Sequence, residues 1–176
     1  MHGKNNPLGC KILVAAVNRI GNISLPMKIR LLFAALALAV PLLFSAEKAQ
    51  PELPTTTLMI GQTSVKAEVA DNDAERSSGL MFRESLAPDS GMLFVMPSVA
   101  PATFWMKNTL IPLSIAFLDE HGTIMEIHDM EPKSEKTVRS TFPRIAYALE
   151  MQQGWFGKKN IWPGEKVSGL PPPLRQ

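Results

Sequence analysis

Apolar and polar residues change their period several times along the chain, and each change marks an element. Val65, Ala67 and Val69 alternate with Ser64, Lys66 and Glu68, the period of a strand with one buried face. Asn72-Asp73-Ala74-Glu75 follows, an N-cap with an acid three residues on, and Gly79 offers a stop. This predicts a short helix over about 73–78. Gly91 to Pro97 is a continuous apolar run between turn formers, as in a strand buried on both faces. Thr103 to Lys107 reads as another strand. Leu113–Leu118 and Thr123–Met130 flank Asp119-Glu120-His121-Gly122, which predicts a hairpin. After a polar loop, Glu131 to Ser140, come a strand over Ile145–Met151, a turn or short helix at Gln152–Lys159, and a last strand near Lys166–Ser168.

Six or seven short strands with one or two short helices predict a mainly β, single compact domain, either a β-sandwich or barrel-like. It should occupy residues 57–170, preceded by a flexible proline-bearing tether, 47–56, and followed by a solvated tail, 171–176. No internal repeat and no second domain is visible.

The N-terminal part follows other rules. From Met27 the chain runs through basic Lys28 and Arg30, the uncharged stretch Leu31–Phe44, and Ser45-Ala46 ahead of charged Glu47-Lys48. That is the layout of a cleaved signal peptide at 27–46. The apolar stretch is shorter than the roughly 20 residues a spanning helix needs, and Pro41 interrupts it. The expected location is therefore periplasmic or secreted, with inner-membrane anchoring by an uncleaved signal as the alternative, since Phe44 is large for a cleavage site. A complete signal beginning at Met27 suggests that residues 1–26 are an extension ahead of the true start.

Export changes how the composition is read. The formal net charge is +2, but five of the 18 basic residues precede Ala46 and none of the 16 acidic ones do. The remaining domain is mildly acidic, without the footprint that nucleic acid needs, so nucleic acid is not expected as a partner. Cys10 is the only cysteine and lies in the leader, so the domain has no disulfide to reinforce its core.

Three stretches of the domain stand out as a series: Glu75-Arg76-Ser77-Ser78-Gly79-Leu80-Met81-Phe82-Arg83, Gly91-Met92-Leu93-Phe94-Val95, and Phe104-Trp105-Met106-Lys107-Asn108-Thr109-Leu110-Ile111-Pro112-Leu113. With Ile127–Met130 and the close Ile161–Val167 they closely resemble the prokaryotic domain-of-unknown-function family numbered 192, over about Val65 to Val167. The resemblance implies a compact, mainly β fold, often behind a signal peptide, with no established activity. After Ile-Pro-Leu that family usually carries an acid, whereas this chain has Ser114.

Candidate chemistry centres on two places. On a strand, Trp105 and Lys107 would share one face, and with Arg76, Arg83 and Asn108 they would form a basic, aromatic-bearing cluster suited to a carboxylate-bearing or sugar-like ligand. The plainer account makes Asn108 and Thr109 turn residues and gives the arginines to surface salt bridges. His128 and Glu126 share a face of one strand with Met130, a set that could approach a metal such as copper. Against this, no second histidine or cysteine stands at ligand spacing, and dispersed methionines usually fill cores. Neither a thiol nor a Gly-x-Ser-x-Gly elbow is present for covalent catalysis. Asp119, Asp129 and Glu150 remain as acids for hydrolysis.

The favoured reading is a non-catalytic binding or accessory module of the cell envelope. It would take an unknown small or polymeric ligand without a cofactor and touch the membrane only through an uncleaved signal. The alternative is a hydrolase or metal-assisted enzyme using His128 and nearby carboxylates. A third is an assembly subunit docking through Trp155, Phe156 and Trp162.

Overall fold

Residues 48–173 are described by a computed structural model. The expected extension 1–26 and signal peptide 27–46 lie outside the described residues, as do the last three residues of the tail. Among the described residues nine strands form: β1 Thr55–Ile60, β2 Thr63–Ala70, β3 Ser90–Ala100, β4 Thr103–Phe104, β5 Leu113–Leu118, β6 Ile124–Met130, β7 Val138–Arg139, β8 Ile145–Gln152 and β9 Val167–Ser168. Two short helices, α1 Asp73–Ser78 and α2 Trp155–Lys158, accompany them in the described residues. Among the described residues, no helix is long and apolar enough to cross a membrane.

Seven strands make one sheet in the order β6-β5-β8-β3-β2-β1-β9, and β4 pairs with β7 separately. All neighbours in the large sheet are antiparallel except β2 and β3, which run parallel with Ala67 opposite Gly91. A parallel pair needs a crossover; α1 and the chain to residue 89 supply it. The sheet curls until its edges meet: Thr123, just before β6, bridges Lys166, just before β9, and Ile124 N–H donates to the Glu165 carbonyl at 2.8 Å. The barrel-like alternative is the one realised, as a curled half-barrel with short helices.

The continuous apolar runs of β3, β5 and β8 follow from this curl, because both faces of the central strands are covered. Leu93, Val95, Ala116, Leu118, Leu149 and Met151 join the core inside the curl. Met92, Phe94, Ile115, Phe117 and Ala148 join a second core outside it, together with Leu80, Ala102 and Met106 from the covering loops. Six of the eight methionines after residue 46, Met92, Met106, Met130, Met151 and, partly, Met96 and Met125, pack in these cores as gap-fillers.

Three expectations need correction. Residues 47–56 are not a free tether throughout: β1 starts at Thr55, Val69 N–H donates to the Pro54 carbonyl at 2.9 Å, and Gln50 Nε2 donates to the Gly79 carbonyl at 2.8 Å. Leu53, ahead of the strand, packs on the outer core, and that burial fixes the segment. The strand expected over 103–107 ends at Phe104. Beyond it Met106 N–H turns to the Ser134 carbonyl and Asn108 adopts a left-handed φ of 58°, so Trp105 and Lys107 do not share a strand face. The loop 131–140 also contains a strand, β7, which pairs with β4 through Thr103–Arg139 and Phe104–Val138.

Candidate functional site

Helix α1 is built as its sequence indicates. Asn72 Oδ1 accepts from Glu75 N–H at 3.0 Å, and Gly79 N–H closes on the Glu75 carbonyl. Glu75 Oε2 accepts from Asp71 N–H, one residue earlier than in the standard box. The helix buries no residue of its own; Arg76 ties it down, pairing with Asp73 and donating to the carbonyls of Asp71 and Val95, the latter at 2.9 Å.

Between α1 and the β4–Trp105 segment runs a groove of about 300 Å³ lined by Asp73, Arg76, Ser77, Phe94, Met96, Thr103, Phe104 and Trp105. A recess of about 40 Å³ shares five of those residues and extends inward to Gly79, Thr109 and Glu150. At the outer end the Trp105 ring is 46% exposed, with Lys107 Nζ 5.3 Å from its centroid. Phe94 and Phe104 meet edge to face at 5.0 Å along the wall.

Glu150 closes the inner end. It stands in β8, opposite Met92 of β3 and Ile115 of β5, and is 4% exposed. Burial pushes its carboxyl up to about 8, and among the described residues no side chain or backbone donor offsets this. The fold therefore holds an uncharged carboxyl at the end of a groove. Sequence reading placed Glu150 only among three acids for hydrolysis. The stronger signal was its position, the single acid in Ile145–Met151, every residue of which is buried.

Of the predicted cluster, Arg76 and Trp105 line the groove and Lys107 stands on the Trp105 ring. Asn108 contributes through its backbone, its carbonyl accepting from Phe82 N–H at 2.9 Å, which docks the 80–83 loop. Arg83 does not converge with Arg76. Its guanidinium pairs with Glu68 at 2.9 Å in a separate cleft of about 150 Å³ beside Lys66 and Ser90.

Of the three acids considered for hydrolysis, the two besides Glu150 are committed elsewhere. Asp119 accepts from the N–H groups of His121 and Thr123 and so shapes the hairpin turn, while Asp129 accepts from the Ser114 hydroxyl. Ser114 Oγ also accepts from Gly154 N–H at 2.8 Å. Because Ser114 and Ile115 face opposite sides of β5, and Ile115 lies opposite Glu150, the missing acid at 114 does not touch the groove.

His128 Nε2 meets Glu126 Oε2 at 2.8 Å, but Glu126 also accepts from Thr141 N–H, Thr141 Oγ1 and Phe142 N–H. Burial raises the Glu126 carboxyl, yet the hydrogen bonds from His128, Thr141 and Phe142 outweigh it, leaving the group below its usual range. Glu126 thus anchors the 141–142 loop, while Met130 is buried in the outer core. Among the described residues no three His, Cys, Asp or Glu side chains gather as a metal site. Trp155 and Phe156 are core, with Trp155 Nε1 donating to Asp89 at 2.8 Å, so the exposed aromatic patch expected there reduces to Trp162, 60% exposed.

Comparison with known proteins gives the same outline. The profile of a family described as DUF192, Uncharacterized ACR, matches residues 56–169. No curated protein matches. A solved protein from Sinorhizobium meliloti 1021, described as a candidate transcription regulator, is 32% identical with a TM-score of 0.65, over 68% of this chain and 97% of its own. One of unknown function from Novosphingobium aromaticivorans DSM 12444 is 33% identical with a TM-score of 0.62, over 66% and 86%.

Proposed function

Because the chain belongs to the uncharacterised DUF192 family, which brings no assigned activity with it, we propose a role from the groove: an exported, non-catalytic domain that binds a carbohydrate-like ligand of the cell envelope. The observation that carries the reading is that a half-exposed aromatic ring, Trp105, and a buried uncharged carboxyl, Glu150, line the same recess at the end of the groove. A sugar ring has an apolar face that stacks on an indole and hydroxyls that exchange hydrogen bonds with groups such as the Glu150 carboxyl and Ser77. Envelope location rests on the signal layout at 27–46.

Two other ligand classes have less support. The description of the Sinorhizobium protein raises DNA, but after residue 46 this chain has more acids than bases, and Arg76 and Arg83 are both tied to carboxylates. A His128-centred hydrolase would need a carboxylate that is instead committed to the 141–142 loop.

Calorimetric titration with short β-linked oligosaccharides tests the reading. Trp105→Ala should weaken binding at least tenfold while lowering the melting temperature only slightly, since nearly half of the residue is exposed. Equal affinity in the variant, or no binding by any oligosaccharide, refutes it. Recovery from the periplasm of a chain beginning at Glu47 tests export.

A further inference from the structure

Resting on that carbohydrate reading, we infer that the group drawn into the inner recess is a primary ammonium, so that the ligand is an amino sugar, free or within a glycan. The recess ends on a carboxyl that has no protein donor, and its walls include Phe94, Phe104 and Trp105. Aromatic faces and a carboxyl together favour a cation over a neutral hydroxyl. An ammonium also brings three N–H donors where a hydroxyl brings one.

The charged surroundings permit this. Glu150 is flanked in the sheet by apolar Met92 and Ile115. From α1 the one charged side chain lining the recess is Arg76, whose charge is matched by Asp73. From the turn after β4, Lys107 sits over the Trp105 ring rather than lining the recess. The recess is the narrow end of the site, about 40 Å³ against about 300 Å³ for the groove, and N-acetylation would both add bulk and remove the charge.

Binding of the ammonium ionises Glu150: the acid O–H breaks, its proton leaves to solvent, and the carboxylate pairs with the incoming R–NH₃⁺. One proton is therefore released per ligand wherever the free protein holds Glu150 protonated, which includes pH 6.

The test is calorimetry of the full domain at pH 6, in two buffers of different ionisation enthalpy. The probes are three trisaccharides of one linkage: tri-glucosamine, its fully N-acetylated counterpart and cellotriose. Tri-glucosamine should bind at least tenfold more tightly than the other two and release close to one proton, and Glu150→Gln should abolish both the preference and the release. If cellotriose or the acetylated trimer binds as tightly, or no proton is released, the ammonium inference fails while the carbohydrate groove stands. If none of the three binds, both fail. The proton count is read on the unsubstituted protein, so the test holds even if Glu150→Gln folds poorly.

Discussion

Replacing Glu150 by glutamine keeps the shape of the side chain and removes the proton that the fold obliges it to carry. In the unfolded chain this carboxyl ionises near its ordinary value of 4.5, and in the folded protein only near 8. Between those values the folded state holds a proton the unfolded chain has released, so raising the pH favours unfolding. At about 1.4 kcal/mol per unit the penalty accumulates to a limit on the order of 5 kcal/mol by pH 8 and is constant beyond it. Glutamine does not titrate. The stability of Glu150→Gln minus that of the parent should therefore be flat below pH 4.5, climb through neutrality and level off above pH 8. Urea unfolding of both proteins at half-unit steps from pH 4.5 to 9 measures the difference directly, with all other titrating groups cancelling. A difference independent of pH would refute the placement of Glu150 in a desolvated recess without a donor.

Other perturbations probe the surroundings. Gly91→Ala should cost about 2 kcal/mol or more, because a Cβ there overlaps the Glu150 carbonyl and the Met151 sulfur; a urea midpoint within error of the parent would contradict the β3–β8 packing. Glu126→Ala should cost roughly 3 kcal/mol through the lost hydrogen bonds to Thr141 and Phe142, and hydrogen exchange should show the 141–142 amides deprotected. Since the Glu126 carboxyl is held below 4.5, its contribution is present above that value and lost as pH falls through the lower folded one; the parent should show that acid limb and the variant should lack it. Ser114→Asp places a second carboxylate against Asp129 and should destabilise by about 1–3 kcal/mol. Adding Asp129→Asn should recover most of that loss, and additive effects in the double variant would show the two side chains are uncoupled.

Local features were legible because they depend on residues a few positions apart. The capping sequence Asn72–Glu75 and Gly79 located α1 to the residue, alternation from Ser64 to Val69 located β2, and the turn 119–122 located the β5–β6 hairpin. The long motifs Gly79–Arg83 and Phe104–Leu113 indicated the family over most of the domain. Where local pattern misled, as at Trp105–Lys107, a distant partner decided: Met106 N–H is taken by Ser134, twenty-eight residues on, and the strand ends. Tertiary structure alone determined that β2 and β3 run parallel, that the sheet curls until Thr123 meets Lys166, and that Arg76 faces the groove while Arg83 turns to Glu68. It also determined the state of Glu150. A glutamate in a strand carries no mark of its charge. Only when β3 and β5 close on either side and α1 folds over the end does burial strip most of its water and push its carboxyl well above the usual range.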